Sequence, residues 1–188
     1  MIETIKAYDL VSKRLNDNIR GLKAHPCILD KKEHGYLYPV YEKTMYIAIS
    51  ASDLNIALKY LDVSSATNNG YETNYFARNV AHISYELINH QQKIVGKEIS
   101  EIVKKNLGDE GLKEIKVCTK ELKSVSKDYH QKLNYIRNNL IAHRVDNGSV
   151  MANSMLDIDS SEIWQIGKKV FSVHINLIGA YINLLGTL

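Results

Sequence analysis

Arg137-Asn138-Asn139-Leu140-Ile141-Ala142-His143-Arg144 sets an arginine and a histidine six positions apart, with a polar residue straight after the arginine. A guanidinium holds phosphate oxygens with a planar fork of donors, and an imidazole exchanges protons near neutral pH. The pair suits chemistry at a phosphodiester. Metal-free cleavage of RNA needs a base for the 2′-hydroxyl, an acid for the departing 5′-oxygen and positive charge at the phosphorane. Arg137 is the candidate phosphate binder, His143 the candidate proton carrier, and Asn138 a support that orients His143 or donates to phosphate. Arg144, Lys132 and, on a more distant segment, Arg78 are candidate contacts to RNA phosphates. The bland alternative is a histidine that caps a helix C-terminus and an arginine on a solvated face.

Six positions on a helix correspond to about 9 Å of rise and about 240° of rotation. Arg137 and His143 therefore converge only if the helix ends or distorts near His143, or if two copies of the chain face each other. One histidine per subunit would give a symmetric pair enough groups for both proton roles.

The elements that must position these residues are helical. The 188 residues fit a single domain, 1–188, with 45% hydrophobic and 24% charged residues, which is ordinary for a folded globular chain. Proline occurs only at Pro26 and Pro39, so long tracts rich in Leu, Ile, Lys and Glu favour helices. The fold class is all-α. Apolar spacing of three and four predicts helices over 2–22, 41–61, about 73–106, about 110–143 and about 160–186. Residues 25–39 read as a loop, as do 64–70. Leu107-Gly108-Asp109 reads as a stop and a new start. Asp159-Ser160-Ser161-Glu162 resembles a capping box for the last helix. The 41–61 segment carries two apolar stripes, Met45, Ala48, Ile49, Ser52, Ile56 and Ile47, Ala51, Leu54, Leu58, Leu61, the mark of a central helix. Five such helices imply an up-down bundle.

The net charge of +3 permits a nucleic-acid partner without demanding one. Lys113 to Arg144 holds eight basic residues against Glu114, Glu121 and Asp128, either a solvated face or a basic approach to the motif. Cys27 and Cys118 stand in no metal or redox spacing. The first residues lack the layout of a signal peptide. In 170–188, Ser172, His174, Asn176 and Asn183 interrupt the apolar run, which favours a buried or interface helix over a membrane span. The expected location is the cytoplasm, with no membrane contact and no cofactor.

The string Ile136-Arg137-Asn138-Asn139-Leu140-Ile141-Ala142-His143-Arg144 resembles the R-x4-6-H signature of the HEPN superfamily, small all-helical domains common among bacterial toxins and antiviral ribonucleases. It is similar to branches with R-N-x-x-x-A-H-R, such as the abortive-infection types. The matching residues are Arg137, Asn138 and His143, with Arg144 beside them; likeness is confined to this motif and its amphipathic setting. The resemblance implies a five-helix bundle that forms a homodimer. It also implies a composite site at the dimer interface, cleavage of single-stranded or tRNA-like RNA, and an antitoxin or regulatory partner. Val145 stands where some toxins of the family carry a modifiable tyrosine, which argues against that control system. Arg20 and His25 also fit the bare spacing, but Gly21 follows the arginine where the family prefers a polar side chain.

A HEPN-fold binding module without catalysis is the rival function. A third option is a helical metal protein built on His82, Glu86 and His90. These lie with Arg78 on one helical stripe, expected to face solvent or to line the RNA groove. Three ligands over two helical turns spread too far for one ion without help, so no metal site is assigned. Tyr129 and Tyr135 flank the motif and are candidates for base stacking, although Tyr129 also falls on the apolar line.

Overall fold

In a computed structural model that describes residues 2–25, 31–90, 96–138 and 158–186, the chain is helical, with no strand among the described residues. The helices are α1 (Ile2–Lys23), a single turn α2 (Lys31–His34) continued by a 3-10 turn (Gly35–Leu37), α3 (Tyr38–Ala66), α4 (Gly70–Asn89), α5 (Lys97–Ile136) and α6 (Ser160–Leu185).

Helix α3 is central because apolar residues surround it. It packs on α1, α4 and α6 and buries Ile47, Ala51, Leu54, Leu58 and Leu61. Of its other apolar stripe Ala48 is buried, but Ile49 and Ile56 stay 47% and 45% exposed. Helix α6 packs on α3, α4 and α5. Its polar residues Ser172, Asn176 and Asn183 mark an exposed side, while His174 is buried. Among the described residues no helix is long and apolar enough to cross a membrane.

Paired side chains fix the helix directions. Tyr60 stacks on Phe76 and Tyr46 meets His90, so α3 and α4 run antiparallel. Lys132 pairs with Glu162 and Tyr129 with Lys169, so α5 and α6 do too. Helices α4 and α6 touch closely at Gly167, where a Cβ would lie 2.5 Å from Val80 Cγ1.

Several boundaries differ from the sequence expectation. Helix α3 starts at Tyr38 because Pro39 lies in its first turn, where a missing N–H breaks no helical bond. Helix α4 starts at Gly70, capped by Asn69, whose Oδ1 accepts from the Glu72 N–H at 3.3 Å. The helix expected over 73–106 is two, since α4 ends at Asn89 and α5 opens after Gly96 in extended conformation. Gly108 takes φ 66° and ψ −157°, a conformation natural to glycine, so α5 is two helical stretches that meet at a kink where the stop and new start were expected. Asp159 caps α6 as expected, its Oδ1 accepting from the Glu162 N–H at 2.9 Å.

Candidate functional site

Arg137 ends α5, and the winding opens into a π-turn over Arg137 and Asn138. Such widened turns recur at functional sites. The turn aims the guanidinium at α4, where it lies 5.7 Å from the centroid of the Tyr85 ring. Its Nε is 3.8 Å from Glu86 Oε1, and its Nη1 donates to Asn138 Oδ1 at 2.9 Å. The Asn138 amide in turn donates to Asn134 Oδ1 at 3.1 Å. Asn138 thus positions Arg137. His143 and Arg144 lie outside the described residues.

Glu86 stands between Arg137 and His90. Its other carboxylate oxygen is 3.6 Å from His90 Nδ1. The same nitrogen lies 2.9 Å from the Glu86 carbonyl and 3.1 Å from Tyr46 Oη. Arg137, Glu86 and His90 are each about one-third exposed (36%, 32% and 31%), so the cluster is walled by protein yet open to solvent. Burial pushes the Tyr46 phenol up, a hydrogen bond with Ser50 opposes this, and the Glu86 carboxylate adds to the rise. The Tyr85 ring also rests on His130, with centroids 5.3 Å apart.

The solvent-facing expectation for Arg78, His82, Glu86 and His90 is therefore corrected: all four are half-buried. Glu86 lies about 60° around the helix from Ile83, which is flanking and not opposite, and α4 has neighbours on several sides. His82 leaves Nδ1 buried without a hydrogen-bond partner among the described residues. His82 and His90 are about 12 Å apart along the axis. Among the described residues no three His, Cys, Asp or Glu side chains gather around one point.

Two expected phosphate contacts stand apart from Arg137. Lys132 projects to the other side of α5 and pairs with Glu162 of α6. Arg78 sits two turns earlier on α4, its Nε donating to the Asn74 carbonyl at 3.3 Å and its guanidinium 5.8 Å from the Tyr75 centroid. Tyr135 is 58% exposed, whereas Tyr129 is partly buried against the core and takes a bond from Lys169 at 2.8 Å. Lys113, Lys116, Lys120, Lys123 and Lys127 are exposed along α5. His25 of the second Arg-His match lies with Nε2 3.1 Å from the Leu185 carbonyl, at the end of α6.

Residues of the cluster that sequence reading left out are Tyr46, Tyr85, His130 and Asn134. Asn134 carries a sequence signal, four positions before Asn138 on one helix face. His130 carries the same kind of signal, four positions before Asn134 on α5; Tyr46 and Tyr85 come from α3 and α4 and have none. Compared with known proteins, the chain matches no family model, no curated protein and no solved structure.

Proposed function

We propose that the chain is a metal-independent endoribonuclease with a HEPN-like five-helix fold, of the toxin or phage-defence type, whose site is completed across a homodimer. The observation that carries this reading is the Arg137 guanidinium, held by Asn138 and Tyr85 at the mouth of a half-open polar cluster. Two Arg137 forks grip the scissile phosphate. One His143 removes the 2′-hydroxyl proton as that oxygen attacks phosphorus, and the other protonates the 5′-oxygen as the P–O5′ bond breaks, leaving a 2′,3′-cyclic phosphate. The basic side of α5 draws single-stranded or tRNA-like RNA toward the cluster.

A feature of α3 supports the dimer. Tyr46, Ile49, Ile56 and Tyr60 are 38%, 47%, 45% and 46% exposed and fall on one 3.5-residue seam with Asp53, the spacing by which two helices interlock. A second copy of this chain seated on that seam would touch Tyr46 and so border the cluster. The rival, a binding module without catalysis, is favoured by one observation: Glu86 already sits beside the Arg137 guanidinium.

The test uses purified protein on a single-stranded RNA in EDTA, wild type beside Arg137→Ala and His143→Ala, with molecular mass measured by light scattering. Cleavage by a dimer, reduced at least about 100-fold in either variant, is expected. Wild-type protein that binds RNA but never cuts it would establish the rival.

A further inference from the structure

A second recess lies between α1, α3 and α6. Three hollows of about 130, 460 and 280 Å³ are all lined by Asp62. The largest has the size of a small-molecule site and an apolar floor that includes Val11, Leu58 and Phe171. Tyr8 and Trp164 wall it and are fixed to each other, the indole Nε1 donating to Tyr8 Oη at 3.3 Å. Burial pushes the Tyr8 phenol up. The Lys168 ammonium hangs 4.4 Å from the Trp164 ring centroid, and Lys59 on the far flank is paired with Asp9 at 2.5 Å.

Asp62 is under-used by the fold. Tyr8 Oη donates to its Oδ2 over 3.5 Å, a long and weak bond, and a carboxylate has room for about four donors. Asp62 is partly exposed and lines all three hollows. Its chemistry defines an occupant. An ionised carboxylate only accepts, so the ligand must offer adjacent N–H donors. Lys168 calls for an anionic group and disfavours a simple organic cation at the same ring. The apolar floor and aromatic wall call for a flat ring system.

Guanine presents N1–H and the 2-amino group on one edge, and its nucleotides carry phosphate. We propose that this recess is a guanine-nucleotide site, with Asp62 reading the base edge, Tyr8 and Trp164 flanking the ring and Lys168 meeting the phosphate. It is independent of the Arg137 cluster and of the ribonuclease proposal.

Trp164 is the single tryptophan of the chain, so its fluorescence reports directly on the recess. The full-length protein is titrated with GMP, IMP, AMP and XMP, with calorimetry as a second readout. Saturable binding of GMP is expected. IMP, which lacks the 2-amino donor, and AMP should each bind about 10- to 100-fold more weakly. Asp62→Asn keeps an acceptor for Tyr8 but offers one donor and one acceptor, the complement of the N1–H and 2-oxo edge of xanthine. That variant should lose GMP by about 10- to 100-fold and gain XMP, a gain that only a folded pocket can give. Lys168→Ala should weaken GMP while leaving guanosine unchanged. No saturable GMP binding, equal affinity for GMP and AMP, or GMP affinity unaltered in Asp62→Asn would each overturn the proposal. Should Asp62→Asn fail to fold, the GMP-against-IMP ratio of the wild type decides.

Discussion

His174 is fully buried on α6, its Nδ1 2.7 Å from the Val170 carbonyl and its Nε2 without a hydrogen-bond partner among the described residues. Burial pushes its pKa below the ordinary 6.5, with the backbones of Val170 and Leu87 opposing the shift. The native protein therefore holds this ring neutral where the unfolded chain protonates it. With the folded pKa depressed, unfolding is coupled to proton uptake below about pH 6.5, and stability falls as pH falls at up to about 1.4 kcal/mol per unit. At pH 5 the loss from this one group reaches about 2 kcal/mol if the ring stays neutral. His174→Leu replaces an imidazole with one unpartnered nitrogen by an apolar group of similar volume, and should remove that pH dependence. Urea unfolding followed by Trp164 fluorescence at pH 7.5 and pH 5.0 measures it. The wild type should lose more than the variant between the two values, by at most about 2 kcal/mol. Equal losses in both proteins would refute the reasoning, because the pH dependence would then belong to other groups.

Two further outcomes follow from packing. Gly167→Ala places a Cβ 2.5 Å from Val80 Cγ1 and 3.0 Å from Leu58 Cδ2; it should destabilise by about 1–3 kcal/mol by overpacking, read as a lower urea midpoint at unchanged slope. Ile49→Lys with Ile56→Lys charges the exposed seam of α3 and should convert a dimer to a monomer in light scattering with helical circular dichroism unchanged. A double variant that stays dimeric would place the interface elsewhere.

The sequence carried the helical class and most helix centres because buried apolar spacing is a local signal. Asp159 at the start of α6 was legible for the same reason, since a cap is read within four residues. The division between α4 and α5 was not, since apolar spacing runs on through residues that no strong breaker separates until Gly96. The exposure of Ile49 and Ile56 also escaped, because periodicity assigns faces to a helix but not the number of neighbours around it. Glu86 and His90 were visible as a stripe. Their approach to Arg137 depends on how α4 and α5 cross, which no spacing along one helix encodes.

The geometry of the Arg137–Glu86 pair bears on whether the arginine is a strut or a tool. A structural arginine pair is typically bidentate, with N···O distances of about 2.7–2.9 Å. Here Glu86 approaches Nε at 3.8 Å, beyond hydrogen-bonding distance, and Nε is a buried donor without a partner among the described residues. Of the five guanidinium N–H groups, one on Nη1 is committed to Asn138. Glu86 therefore lies beside the fork without gripping it, and its other oxygen is 3.6 Å from His90 Nδ1. Such an arrangement sets the guanidinium beside Tyr85, 5.7 Å from the ring centroid, without a bidentate ion pair among the described residues. A strut would spend its donors on Glu86; among the described residues Glu86 takes no hydrogen bond from this guanidinium.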